Sequence, residues 1–99
     1  MTDTIELVRY RLKQGSITAD WLKANEKINE WVKRQPGFRF RSLSETADGE
    51  WVDMVYWASP ETAQAAAALA MDAVGDVFGY VDEESMIMSH SHAHIMLQG

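Results

Sequence analysis

Residues 85–97 read SMIMSHSHAHIML and alternate without a break. Met86, Met88, His90, His92, His94 and Met96 fall on one side; Ile87, Ser89, Ser91, Ala93, Ile95 and Leu97 fall on the other. A period of two specifies a β-strand. Neither side carries a full charge at neutral pH, so this strand is expected to be buried on both faces. All three histidines of the chain lie in it.

Immediately before it, Asp82-Glu83-Glu84 reads as solvated, and DAVGDVFGYV (72–81), broken by Gly75 and Gly79, as a helical turn followed by a loop. Further back, Ser59-Pro60-Glu61 opens a helix with an N-cap serine, a proline at the first position and an acid in the first turn. The helix runs to about Met71 through TAQAAAALAM, whose alanines favour helix and permit close approach to a sheet. Before that helix, FRFRSLSE and EWVDMVYW (38–45 and 50–57) read as a hairpin joined by Ala47-Asp48-Gly49, with Gly49 in the left-handed conformation. That register pairs Thr46 with Glu50 and Phe40 with Tyr56. It places Phe38, Phe40, Val52, Met54 and Tyr56 on one face, and Arg39, Arg41, Leu43, Trp51, Asp53, Val55 and Trp57 on the other. A two-residue Asp48-Gly49 loop is the alternative register.

At the N-terminal end, TIELVRYRL (4–12) reads as the first strand, with Val8, Tyr10 and Leu12 opposite Ile5, Leu7, Arg9 and Arg11. Thr18 is placed as the N-cap of a helix over 19–35, ended by Pro36-Gly37. At 100° per residue, Trp21, Ile28 and Val32 form its apolar stripe, flanked by Leu22 and Trp31. Asn25 interrupts that stripe. The order β-α-β-β-α-β in one 1–99 domain predicts an α+β, ferredoxin-like fold with an antiparallel sheet and both helices on one face. The other face of the sheet must be covered, and a second copy of the sheet is the economical cover.

Composition narrows the function classes. The chain has 99 residues, a net charge of −6, four Trp, three Tyr, three Phe and no Cys. So much aromatic surface in so small a domain favours a homo-oligomer. The negative charge argues against nucleic acid and against an anionic membrane surface. Without Cys there is no disulfide, thiolate nucleophile or Cys-ligated metal. The start MTDTIEL has no leader pattern, and no apolar run spans a bilayer, so a cytoplasmic location is expected.

With VRYRLKQG leading into the first helix, QPGF opening the second strand and WVDMVYWASPETAQAA joining third strand to second helix, the chain resembles the dimeric α/β-barrel superfamily related to antibiotic-biosynthesis monooxygenases (ABM-like proteins). Trp57-Ala58-Ser59 matches that family's Trp before a helix cap. The resemblance implies a homodimer and a cavity between the first helix and the sheet. It implies binding, and cofactor-free oxygenation, of an aromatic or polyketide-like compound. A non-catalytic ligand-binding or stress-related protein of the same fold is the alternative. Haem-degrading members carry Trp and a haem-ligating His in the second-helix region; residues 65–81 have neither, so no cofactor is expected.

Under this reading Asn25 and Tyr10 orient a substrate oxygen, and His90 is the general base, because imidazole titrates near neutrality. Trp21, Ile28, Trp57 and Met88 are expected in the substrate pocket. His90 and His92 are spaced to share a metal, with Cα atoms about 6.6 Å apart on a strand. No third ligand is set by spacing, so no metal is expected and the histidines are read as lining the sheet-to-sheet interface. Arg9, Arg11, Arg39 and Arg41 are read as pairing with carboxylates such as Asp53 and Glu45 in preference to holding an anionic substrate.

Overall fold

The computed structural model describes residues 3–99. Its elements are β1 (Thr4–Leu12), α1 (Thr18–Lys33), β2 (Phe38–Glu45), β3 (Trp51–Trp57), α2 (Pro60–Val74), a 3-10 segment (Gly75–Tyr80) and β4 (Val81–His92). The strands form an antiparallel sheet in the order β2-β3-β1-β4. This is the ferredoxin-like arrangement. No helix among the described residues is long and apolar enough to cross a membrane.

The hairpin adopts the three-residue loop. Thr46 N–H donates to Glu50 O at 2.8 Å, Phe40 pairs with Tyr56, and Gly49 has φ +90°. A register shift between Phe38 and Phe40 turns Phe38 over. It therefore packs against Trp57 on the helix side, not beside Phe40 as strict alternation required.

Three helix ends depart from the sequence reading, the first helix closing at Lys33 and not at residue 35. Thr18 is the first helical residue, and Ile17 occupies the N-cap without a side-chain bond. The second helix continues past Met71 to Val74 before tightening into the 3-10 segment. At its start Ser59 and Thr62 form a reciprocal capping box, and Pro60 sits where no N–H is required.

The last strand is shifted. It begins at Val81, so the acidic run is part of it, and it ends at His92 rather than Leu97. The end follows from the partner: Thr4, the first residue of β1, stands opposite His92, and the last bond is Ala93 N–H to Asp3 O at 2.9 Å. Beyond it Ile95 and Leu97 are exposed. Within one chain β4 is an edge strand, so Ile87 and Met88 are exposed and burial on both faces is not reached. Between Arg9 and Arg11 the pairing jumps from Ile87 to Asp82. Ser85 bridges this irregularity: its Oγ accepts from Arg11 N–H at 2.8 Å and donates to Asp82 O at 2.6 Å.

The core between helices and sheet is split. One cluster holds Tyr10, Trp21, Ile28, Trp51, Val74, Val77 and Val81. The other holds Val32, Val55, Trp57, Ala63 and Ala66. Trp31 packs against both. The opposite face of the sheet has no helix over it and is apolar at its centre; it carries Leu7, Phe40, Val52, Met54, Tyr56 and Ile87, with the Phe40 and Tyr56 rings edge to face at 5.7 Å and the Arg9–Glu50 pair and serines around them.

Candidate functional site

A cavity of about 420 Å³ lies between the two core clusters. Small-molecule pockets typically measure roughly 300–1,000 Å³. The sheet contributes Glu6, Val8 and Tyr10 from β1, Asp53, Val55 and Trp57 from β3, and Met86 and Met88 from β4. Ile28, Trp31 and Val32 of α1 form one wall. The alanines of α2 (Ala66, Ala67 and Ala70) form another, and their short side chains are why space remains there.

The polar groups are few. Tyr10 is 2% exposed and Trp57 is 2% exposed, yet neither the Tyr10 hydroxyl nor the Trp57 indole N–H has a hydrogen-bond partner. Buried polar groups are normally satisfied; Thr4 Oγ1 and the Trp21 N–H are unpartnered as well, but only Tyr10 and Trp57 line this cavity, and the Trp57 N–H lies near the Glu6 carboxylate. Burial pushes the Tyr10 hydroxyl far above its ordinary value, with Asp53 adding to the effect, so it stays a donor.

Arg41 spans the floor of the site. It forms a fork on Asp53 (Nε to Oδ1 at 3.1 Å, Nη2 to Oδ2 at 2.8 Å) and donates from Nη2 to Asn25 Oδ1 at 2.7 Å and from Nη1 to Asn29 Oδ1 at 2.5 Å. The other three arginines are also paired: Arg9 with Glu50, Arg11 with Asp48 and Arg39 with Asp3. Asp53 is a partner read from sequence; Glu45 is not used.

Glu6 is the residue that sequence reasoning passed over. Its side chain is 14% exposed and lines the cavity, and its Oε2 lies 3.2 Å from His90 Nε2. Burial raises the Glu6 carboxyl above its ordinary value. The His90 bond and charge pull it down, Asp53 pushes it up, and the nearby Trp57 N–H lowers it slightly. A signal was present: Glu6 stands on the same side of β1 as Val8 and Tyr10, an acid on an apolar face. What the sequence hides is the β1–β4 register that sets His90 opposite it.

Of the expected site residues, Tyr10, Ile28, Trp57 and Met88 line this cavity. Asn25 does not. It is 3% exposed and its amide is used on both sides, donating from Nδ2 to Trp21 O at 2.9 Å and accepting from Arg41. Trp21 is also behind the wall, packed edge-on against Tyr10 at 5.8 Å. His90 borders a smaller outer pocket of about 150 Å³ with Thr4, Pro60, Gln64 and His92. His90 and His92 thus face the α2 side, and the reading that puts them at the sheet-to-sheet interface is corrected. The described residues contain no group of three or more His, Asp or Glu placed to hold a metal.

No protein-family model and no curated protein matches the sequence. Solved structures do match in shape. The chain is similar to a mutant of SnoaB, a cofactor-independent oxygenase from Streptomyces nogalater (TM-score 0.79, 15% identity, covering 98% of both chains). It is also similar to the monooxygenase ActVA-Orf6 of Streptomyces coelicolor, solved with nanaomycin D (TM-score 0.68, 14% identity, 99% of this chain and 93% of that one). A third match is a dimeric ferredoxin-like protein from an uncultured marine organism (TM-score 0.73, 8% identity, 100% and 94%). What the chain shares with these proteins is the fold, a ferredoxin-like β-α-β-β-α-β domain matched over nearly its whole length.

Proposed function

We propose that this protein binds a small aromatic or polyketide-like compound in the cavity between its core clusters and oxygenates it without a cofactor. The observation that carries this reading is a half-open, largely apolar cavity with two buried donors, Tyr10 and Trp57, left unpartnered at its wall. Such a site suits a flat, largely apolar molecule with a single oxygen to anchor. Met71, Met86 and Met88 add soft, adaptable surface against an aromatic ring. The similarity to oxygenases in fold supports the choice of chemistry.

In this reading the substrate is a carbon acid such as an anthrone. Loss of a C–H proton leaves an electron pair spread onto the substrate oxygen, where the Tyr10 and Trp57 donors stabilise it. That anion reduces dioxygen and forms a C–O bond. The resulting peroxide takes up a proton, then loses its second C–H proton as the O–O bond breaks, and that proton and the departing hydroxide leave together as water. A CH₂ group and O₂ thus become a carbonyl and H₂O. Asn25 serves the site at one remove, by fixing Arg41.

The proposed assembly is a homodimer through the bare face of the sheet.

Tryptophan fluorescence during titration with anthraquinone, and oxygen uptake with anthrone and a panel of hydroquinones, test the function. Quenching and uptake are both expected, with Tyr10→Phe lowering turnover by about tenfold or more. Quenching without uptake across the panel would leave a ligand-binding protein only.

A further inference from the structure

We infer that Glu6 is the proton-accepting group of the cavity and that His90, on its outer side, is the positioning residue that keeps it charged. This rests on the oxygenase reading above and assigns its base. The two side chains bridge two spaces. Glu6 lines the inner cavity with its side chain 14% exposed, while His90 lines the outer pocket with its side chain 39% exposed. His90 engages Oε2 at 3.2 Å, and no donor of a described residue lies in bonding geometry to Oε1, although the Trp57 N–H is close enough to favour the charged carboxylate. One carboxylate oxygen is thus anchored and the other is left for a ligand.

His90 itself is badly placed to be the base, because it is absent from the cavity wall. The other candidates lining the cavity are worse placed: Glu83, on β4, is exposed to solvent at its edge, whereas Glu6 is not. Asp53 is held by two bonds from Arg41, and Tyr10 is held neutral by burial. Around the cavity, β3 presents Asp53 and the Trp57 N–H, β2 presents Arg41 bound to Asp53, and β4 presents His90 beside Glu6 and the exposed Glu83 at the edge. From the helices the cavity receives only Ile28, Trp31, Val32 and α2 side chains without charge. A carboxylate raised by burial is a stronger base than one in water, provided that it ionises. The His90 contact and charge favour that ionised form. In the reaction Glu6 takes the first C–H proton and returns it to the peroxide, so the dyad ends as it began.

Oxygen uptake with anthrone, followed against pH, tests this in wild type, Glu6→Gln, His90→Ala and His90→Gln. Glu6→Gln is expected to lower kcat by about 100-fold or more, with anthraquinone still bound and still quenching the tryptophan fluorescence. His90→Ala is expected to move the acidic limb of kcat/KM to higher pH, and added imidazole to move it back. His90→Gln, which donates but carries no charge, is expected to fall between. Near-wild-type kcat in Glu6→Gln, or an unmoved limb in His90→Ala, would overturn the assignment. If wild type takes up no oxygen, the oxygenase reading fails by itself. Carbon-13 NMR titration of the Glu6 carboxyl then decides the dyad: a higher midpoint in His90→Ala keeps it, and an unchanged one removes it.

Discussion

Asn25 shows how far a single residue can be read from sequence. A polar amide in an apolar stripe must find partners, and the position of the anomaly was legible in the 3.6-residue period. Its partner was not, because Arg41 reaches it from another element 16 residues away. Asn25→Leu leaves Arg41 Nη2 with Asp53 alone and should cost about 1–3 kcal/mol in thermal or urea unfolding. A variant as stable as wild type would deny the amide this bracing part. Glu6 makes a prediction of opposite character. Its folded value lies above the ordinary 4.5, so the folded state holds the proton more tightly than the unfolded one. The stability this contributes is fully present below pH 4.5 and is lost as pH rises through the folded value. Glu6→Gln removes that loss, so its stability relative to wild type should increase as pH rises from 4.5 through the raised folded value. Asp48 and Asp76, held low by Thr46 with Arg11 and by Lys27, titrate alike in both proteins and cancel from the difference. Urea unfolding of the pair at several pH values checks the sign.

At the scale of elements, sequence periodicity located the four strands and both α-helices, whereas it left the hairpin open between two registers, of which the Thr46–Glu50 bond selects the three-residue loop. Strand ends were less legible because they belong to pairs. Alternation in 85–97 runs on past the point where β1 stops, and only the partner's length says where the ladder closes. Phe38 escaped for a similar reason, since the shift that turns it over depends on how β2 lies against β3. Contacts between elements also set the cost of change at Gly37. It ends the α1 turn with φ +81°, and its carbonyl accepts from Ala58 N–H at 2.8 Å. A Cβ there would sit 2.6 Å from Thr62 Oγ1, within the capping box of α2. Gly37→Ala therefore combines backbone strain with a disturbed cap and should cost about 2–4 kcal/mol in unfolding measurements. A loss below about 1 kcal/mol would mean the two helix ends are not coupled.

For the whole molecule, the bare face is the feature that asks for a partner. Met54 lies on the third strand, opposite Leu7, with Phe40 and Ile87 exposed on the same face. Sedimentation at micromolar concentration should give a dimer. Met54→Asp would bury an unpaired charge at the join and should weaken it about 100-fold or more, roughly 3 kcal/mol. A stable monomeric wild type would remove this assembly. The divided core carries a different consequence. Two clusters that do not close on each other leave the empty chain short of dispersion contacts along the lining of the gap. A molecule that fits restores them only in the folded state, so occupancy and folding are linked by mass action. At a hundred times its dissociation constant, such a ligand adds about 2.7 kcal/mol to the folded state. The melting temperature then reports the identity of the natural ligand, whether or not the protein alters it.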